Sequence, residues 1–337
     1  MGSLDTSVTG ERRGEAGGQH GVRVVCIGET MLMFAPPPHE LIEYCDHFTA
    51  FNGGAESNVA IGLERLGIHA GWIGKLPRNA LGRKVVNEIR SLGVDTSAVV
   101  WTDQGRVGTF FVEWGAPPRP LTTIYDRAHS AATTMTADEL DWSYIAQANW
   151  VDLTGITPAL SETCREATIQ IARRAHEAGL QVVFDVNYRS LLWSREEAKA
   201  ACERLLPFVN LLVVTEPDME LLLGARLSRE DALRTVMQHY PLDAVAMTLG
   251  GEGSVGFDRQ TLCHASGHTP QVVNRLGAGD AFVAGLLYGY LDSDLARGLR
   301  YGNAMASLKF TIPQNIPLVS KQDVDRLVEK GALDVIR

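Results

Sequence analysis

The fold class is decided by residues 57–73, which read SNVAIGLERLGIHAGWI. The spacing of Val59, Leu63 and Leu66 places these side chains on one stripe of a helix. Gly67 follows directly, at the position where many helices end in the left-handed conformation. The apolar run that closes the stretch is typical of a buried strand. Residues 57–73 therefore predict one unit of alternating helix and strand.

The same unit occurs again further along the chain. Helices are predicted over residues 80–92 and 161–178, each followed by Gly, with strands over 98–101 and 180–184. A first strand is predicted over residues 22–27. This alternation predicts a doubly wound α/β fold, in which helices flank a mainly parallel central sheet.

Two segments, residues 32–51 and 107–132, interrupt this alternation. The first contains three consecutive prolines and alternates polar with apolar residues. The second reads as two strands, 109–114 and 121–125, around a Pro-rich turn. Neither contains a plausible helix, so we predict that both leave the main sheet and form a small β lid.

Composition narrows the class of protein. Of the 337 residues, 45% are hydrophobic, which is enough for a substantial core. The net charge of −9 disfavours nucleic-acid binding, which needs a basic face, and no apolar run approaches the ~18 residues of a membrane span.

Five scattered cysteines lack zinc or disulfide spacing and indicate buried thiols in the cytoplasm. Residues 1–21 contain six Gly and predict a flexible tail before a single domain over 22–337.

The strongest chemical signal is Leu-Gly-Ala-Gly-Asp-Ala-Phe, residues 276–282. It follows a β-like segment, 271–273, and opens an apolar helix over 281–291. Backbone N–H groups at a helix start form an anion site. Asp280 would repel an anion there, but it makes sense as a base that accepts a proton from a hydroxyl. The alternative is an ordinary helix cap in a tight turn.

A second glycine cluster opens the first predicted helix. Gly53 and Gly54 permit close approach of a ligand, and Asn58 can donate and accept hydrogen bonds to sugar hydroxyls. An ordinary loop and helix cap is the alternative. The turn after the first strand, residues 28–33, lacks G-x-G-x-x-G, and a Walker A sequence is absent.

Together, and in this order, the two glycine clusters resemble the signatures of PfkB-type (ribokinase-like) carbohydrate kinases, and the similarity spans residues 24–328. Within that family the chain is most similar to 2-keto-3-deoxygluconate kinases. The segments that carry this closer similarity are 28–29, 71–74, 93–96, 125–132, 154–161, 185–189 and 192–193, whereas 248–254 resembles the strand and glycine turn of the whole family. The resemblance implies a ribokinase-like fold and ATP-dependent phosphorylation of the C6 hydroxyl of 2-keto-3-deoxygluconate. A PfkB kinase for fructose, ribose or a related keto-deoxy acid stays open, as does a non-catalytic sugar-binding protein.

The resemblance also implies roles for individual residues. Asp280 is the expected general base, and the N–H groups of Gly277, Ala278 and Gly279 are expected to hold the transferring phosphoryl group. The expected substrate-binding residues are Gly53, Gly54, Asn58, Phe110, Tyr125, Arg127 and Arg189, with Tyr125 and the two arginines at the acid end of the sugar. The expected nucleotide-binding residues are Thr215, Thr248, Gly250, Gly253, Gly277, Gly279 and Asn303.

The expected cofactor is Mg²⁺ carried by ATP, with Asp218 as a candidate contact. Phe110 stands where the family usually has Tyr. Asn274 stands where many relatives have Asp, which leaves a monovalent-cation site open. The β lid suggests a homo-oligomer. Because sugar acid and ATP are both anions, the excess acidic residues are expected to lie mostly on faces away from the cleft.

Overall fold

The computed structural model describes residues 21–38, 40–115 and 118–330, so the predicted tail lies outside the described residues except for Gly21. The strands are, in chain order, β1 Val24–Ile27, β2 Met31–Ala35, β3 Thr49–Gly53, β4 Ala70–Ile73, β5 Lys75–Pro77, β6 Val100–Thr102, β7 Thr109–Glu113, β8 Thr122–Asp126, β9 Trp150–Thr154, β10 Gln181–Asp185, β11 Leu211–Thr215, β12 Ala244–Thr248, β13 Gly253–Phe257 and β14 Leu262–Ser266. The α-helices are α1 Ala55–Leu66, α2 Ala80–Ser91, α3 Trp142–Ile145, α4 Glu162–Glu177, α5 Arg195–Leu205, α6 Glu216–Leu223, α7 Arg229–His239, α8 Ala278–Leu291, α9 Leu295–Phe310 and α10 Lys321–Lys330.

The main sheet has the strand order β14-β13-β12-β11-β10-β9-β1-β4. Strands β12 to β4 in this order run parallel, β13 is antiparallel to β12, and β14 is antiparallel to β13. Alternate side chains face opposite layers: Val24 and Cys26 pack with α1, α2, α8 and α9, whereas Val25 and Ile27 pack with α4 to α7. The predicted doubly wound, mainly parallel sheet is confirmed.

The predicted helix ends are also confirmed. Gly67, Gly93 and Gly179 have φ values of 88°, 100° and 79°, the left-handed backbone in which glycine ends a helix without strain. At the other end of α4, the Ser161 hydroxyl accepts the N–H of Cys164 at 3.0 Å. The left-handed Gly179 follows the end of α4, and β10 begins two residues later, at Gln181.

A second sheet, β3-β2-β7-β8, contains the strands of the two interrupting segments. Its inner face packs through Met31, Met33, Phe110 and Val112. Strand β3 ends at Gly53, and α1 begins two residues later. This sheet, which we call the lid, is therefore continuous in sequence with the first glycine cluster.

One predicted strand lies outside the main sheet, and another is absent. The run at 98–101 forms its strand at 100–102, and that strand pairs with β5 outside the main sheet. Residues 271–273 form no strand, because the Val273 N–H donates to the Phe310 carbonyl at the end of α9, 2.8 Å away. Short apolar runs carry too little periodicity to identify their partners.

The predicted burial of the cysteines is confirmed for four of the five. All five cysteines are free thiols, and four are buried, whereas Cys45 is half-buried. None of the described helices is long and apolar enough to cross a membrane.

Candidate active site

A cavity of about 1080 Å³ opens at the carboxyl ends of the parallel strands. Asp185, Thr215 and Thr248, the last residues of β10, β11 and β12, line it. Ligands of open α/β sheets collect at this edge. The predicted site residues that line the cavity are Gly53, Gly54, Asn58, Phe110, Tyr125, Arg127, Arg189, Thr215, Asp218, Thr248, Gly277, Ala278, Gly279 and Asp280.

The Gly-Ala-Gly turn lies at the start of α8, a helix of 14 residues. Gly277 has a φ of 80°, and a Cβ there would lie 1.9 Å from the Asn315 carbonyl oxygen, so only glycine fits. At Gly279 nothing lies within 4 Å of the place where a Cβ would stand. The first N–H groups of a helix lack intrahelical acceptors and carry partial positive charge. This turn, the phosphate loop, can therefore hold an anion from the cavity.

Asp280 follows the phosphate loop and is 9% exposed. Asn58 Nδ2 donates to its Oδ2 at 2.7 Å and also contacts the Asn315 carbonyl oxygen at 3.3 Å. Burial raises the pKa of Asp280 to about 6, although the Asn58 hydrogen bond and the charges of Arg189 and Lys309 oppose this rise. Asp280 is thus mostly ionised at neutral pH and still basic enough to accept a proton.

Two buried carboxyls that are not among the predicted site residues lie behind the cavity. The hydroxyls of Thr154 and Thr157 donate to Glu56 Oε1 at 2.8 and 2.7 Å, and burial raises the pKa of Glu56 to about 7. Asp152 is fully buried, and neither of its carboxyl oxygens has a hydrogen-bond partner in the described chain. Burial raises the pKa of Asp152 well above its ordinary value. A carboxyl in such surroundings is stable only in its neutral form.

Acidic side chains also line the cleft, although they were expected to lie mostly on faces away from it. The cavity is lined by five acidic residues and three arginines: Glu29, Asp126, Asp185, Asp218, Asp280, Arg127, Arg189 and Arg275. Burial, followed by the charges of Asp218 and Asp280, raises the pKa of Asp185 to about 8, and the charge of Arg189 opposes this rise. Formal charges therefore overstate the negative charge of the wall, because burial keeps Asp185 protonated at neutral pH.

Arg127 is held by a carboxylate that was not among the predicted site residues. Its Nε donates to Glu29 Oε2 at 2.9 Å, and its Nη2 bonds the same oxygen. The Ser130 hydroxyl donates to Glu29 Oε1 at 2.7 Å. Glu29 is 4% exposed and follows β1, whereas Arg127 follows the lid strand β8. This ion pair ties the lid to the main sheet and leaves Nη1 as the guanidinium nitrogen not engaged by Glu29. The sequence does contain a signal for Glu29, because a charged residue shortly after a buried strand is typical of a site at the end of a sheet.

Aromatic rings form another part of the wall. Phe110 and Tyr125 stack with ring centroids 5.4 Å apart, and the Arg127 guanidinium carbon lies 5.7 Å from the centre of the Tyr125 ring. A Cβ on Gly53 would lie 2.5 Å from Phe110, so glycine lets the ring pack against this backbone. The three predicted residues Gly53, Phe110 and Tyr125 thus form one continuous surface.

Three residues predicted to bind nucleotide lie outside the cavity lining: Gly250, Gly253 and Asn303. The Asn303 amide donates to two carbonyl oxygens of β14, at 2.9 and 3.2 Å. In this structure the Asn303 amide nitrogen therefore holds β14 against α9.

The described residues contain no group of three or more His, Cys, Asp or Glu side chains arranged to hold a metal ion. Asp185 and Asp218 nevertheless bring two carboxyl groups to the cavity wall. Oxygen donors of this kind suit Mg²⁺, which commonly binds through one or two carboxylates and substrate phosphates. The wall therefore fits an Mg²⁺ ion that arrives with a nucleotide.

Comparison with known proteins adds independent evidence. The model of the pfkB family carbohydrate kinases matches residues 22–319. The 2-dehydro-3-deoxygalactonokinase of Haloferax volcanii is 38% identical over 93% of this chain and 99% of its own length. The 2-dehydro-3-deoxygluconokinase of Bacillus subtilis is 30% identical over 86% of this chain and 90% of its own.

The fold comparison agrees. The crystal structure of a 2-dehydro-3-deoxygluconokinase from Thermotoga maritima has a TM-score of 0.86 and 32% identity, and covers 92% of this chain and 99% of that one. The ribokinase-like architecture, the phosphate loop and the sequence similarity thus all indicate the same family. The chain belongs to the pfkB family of carbohydrate kinases.

Proposed function

We propose that the protein transfers the γ-phosphoryl group of ATP to the C6 hydroxyl of 2-keto-3-deoxygluconate, which is also called 2-dehydro-3-deoxygluconate. The products are the 6-phosphate and ADP. One observation carries this proposal: a single cavity is lined by Asp280, the phosphate loop, Arg127 and Arg189. A base, an anion site and two guanidinium groups suit a substrate that carries both a hydroxyl and a carboxylate.

In this proposal Asp280 accepts the proton of the C6 hydroxyl as that oxygen bonds to the γ-phosphorus. The bond between the γ-phosphorus and the oxygen of ADP breaks in the same displacement. The N–H groups of Gly277, Ala278 and Gly279 stabilise charge on the transferring group. Mg²⁺, when bound with ATP, would neutralise phosphate charge. Asp218 would hold it, together with Asp185 once that carboxyl has released its proton. Closure of the lid excludes water, which limits hydrolysis of ATP.

The remaining contacts belong to the same proposal. Sugar hydroxyls are assigned to Gly53, Gly54 and Asn58, the acid end to Tyr125 beside the two arginines, and an apolar contact with the sugar to Phe110. The nucleotide is assigned to Thr215, Thr248, Gly250, Gly253 and Asn303. A homo-oligomer through the lid is supported by the outer strand β8, where Ile124 is 57% exposed. The free thiols fit a reducing cytoplasm.

The C4 epimer, 2-keto-3-deoxygalactonate, is the second candidate substrate. The relative with 38% identity over 93% of this chain is named a 2-dehydro-3-deoxygalactonokinase, which supports this epimer. A coupled ADP assay with ATP, Mg²⁺ and a panel of both acids, fructose and ribose tests the proposal. We expect the acids to give the highest kcat/KM. Preferred turnover of a neutral sugar would refute the sugar-acid assignment, and no ADP release with any of them would refute sugar-acid phosphorylation.

Arg189 provides a sharper test of carboxylate recognition. Arg189→Gln removes a charge-assisted contact of about 1.5–3 kcal/mol, which corresponds to a loss of about 10- to 150-fold in kcat/KM for the acids. The best neutral sugar of the panel is the internal control and should lose much less. An equal loss for both would mean that Arg189 acts on the reacting phosphoryl end, near Asp280, instead of on the carboxylate.

A further inference from the structure

Lys309, the second-last residue of α9, is a fully buried lysine. Its ammonium donates to the carbonyl oxygens of Asn274 at 3.2 Å and Ile312 at 3.4 Å. Within the described ranges the lysines that pair with carboxylates are Lys75, Lys84 and Lys321, so Lys309 has no such partner within 4.0 Å. Burial of an ammonium without a neighbouring carboxylate costs folding free energy, because the charge loses its contact with water. A buried lysine of this kind therefore indicates a functional role.

The ammonium lies directly behind the phosphate loop. Asn274, which accepts its hydrogen bond, is three residues before Gly277. The Asn274 side chain donates to the Pro313 carbonyl at 2.8 Å and accepts the Leu276 N–H at 3.0 Å. Lys309 and Asn274 therefore join the segment that enters α8 to the segment that leaves α9.

The positive charge of Lys309 also reaches the reacting group. It lowers the pKa of Asp280, and the charge of Asp280 in turn raises that of Lys309, whereas burial brings the pKa of Lys309 down to about 8. The ionised forms of Lys309 and Asp280 therefore support each other across the phosphate loop.

Main-chain carbonyl oxygens are also the ligands that replace the hydration shell of K⁺ in proteins. Here the Lys309 ammonium already donates to two such oxygens, those of Asn274 and Ile312. The Asn274 side chain is a neutral amide whose nitrogen and oxygen are both hydrogen-bonded within the protein. These residues do not fit an additional monovalent cation at this place. We propose that Lys309 is a tethered internal cation, which positions the phosphate loop and makes the kinase independent of added monovalent cations.

The experiment compares the wild-type enzyme with Lys309→Ala, Lys309→Met and the surface control Lys84→Met. Each protein is assayed with Mg²⁺, ATP and both 2-keto-3-deoxy acids in tetramethylammonium chloride, KCl or NH₄Cl at equal ionic strength. Thermal unfolding in the same salts gives a readout that requires no turnover, so this test stands even if another sugar is the substrate.

We expect the same wild-type kcat in all three salts. Lys309→Ala should lose at least about tenfold in kcat, and NH₄Cl should restore part of it and raise the unfolding temperature, because the vacated space admits a small cation. Lys309→Met should lose activity without rescue, because its side chain fills that space. Lys84→Met should behave as the wild type does.

Three results would overturn the proposal. The first is severalfold activation of the wild-type enzyme by K⁺. The second is a fully active Lys309→Ala variant in tetramethylammonium chloride. The third is a folded, inactive Lys309→Ala variant that responds to neither NH₄⁺ nor K⁺, since Lys309 would then only fill space. If the variants do not fold, the wild-type kcat in the three salts still tests the proposal, because activation by K⁺ would contradict it.

Discussion

Replacement of Asp152 by Asn tests whether the carboxyls behind the cavity keep their protons in the folded enzyme. Asp152 is fully buried, and its carboxyl oxygens have no hydrogen-bond partner in the described chain. Burial, followed by the negative charges of Glu56 and Asp185, raises its pKa well above the ordinary value. In the unfolded chain the same carboxyl has its ordinary pKa, about 3.9.

The sign of the effect follows from this difference in pKa. Between the unfolded-state and the folded-state pKa, the folded protein holds a proton that the unfolded chain has released. The free energy of unfolding of the wild-type protein therefore falls as pH rises, by up to about 1.4 kcal/mol per pH unit. Asn has the same shape and no proton to lose. Over two pH units inside this window, Asp152→Asn should gain up to about 2.7 kcal/mol relative to wild type.

The assay is urea-induced unfolding of both proteins at several pH values from mildly acidic to neutral. We expect the stability difference between variant and wild type to grow with pH. Asp103→Asn is the matched control, because the Asp103 side chain is 87% exposed and should leave the pH profile unchanged. Parallel profiles for Asp152→Asn and wild type would show that Asp152 is already ionised in the folded protein, and would refute the reasoning.

Two further predictions concern the site itself. Glu29→Gln removes the charge that holds Arg127. The Glu29 and Arg127 side chains are only 2% and 11% exposed, and a charged contact of this kind contributes about 1.5–3 kcal/mol. Because Arg127 then loses its fixed position, KM for the sugar acid should rise about tenfold, with a smaller change in kcat. Glu113→Gln, which breaks the Arg119 ion pair within the lid, is its control, and an unchanged KM in Glu29→Gln would contradict the positioning role. Because Asp280 must be ionised to accept a proton and its pKa is about 6, kcat/KM should fall as pH drops through that value. A pH–rate profile that stays flat there would exclude Asp280 as the titrating base.

The main sheet could be predicted from the sequence because its signals are local. Helices that end at Gly67 and Gly179 each pass within a few residues into an apolar strand, and such signals need no knowledge of distant partners. The run at 98–101 shows the limit of this approach. Its strand pairs with β5 and not with the main sheet, and that choice depends on packing that the segment does not encode.

The internal contacts of the site could not be predicted in the same way. Arg127 and Glu29 are 98 residues apart in the chain, and Asn58 and Asp280 are 222 apart. Such pairs exist only once the fold brings their elements together. The protonation of the acidic wall was missed for a related reason, since burial sets the pKa of Asp185 and composition cannot report burial.

The central claim is that Asp280 accepts a proton from the sugar hydroxyl beside the phosphate loop. The most direct test is the kcat of Asp280→Asn with ATP, Mg²⁺ and the preferred sugar acid. An Asn side chain still offers an oxygen to Asn58 Nδ2, so the fold and ATP binding should persist. We predict a fall in kcat of about 10²- to 10⁴-fold with nearly unchanged affinity for ATP. A variant that keeps the wild-type kcat would contradict the account.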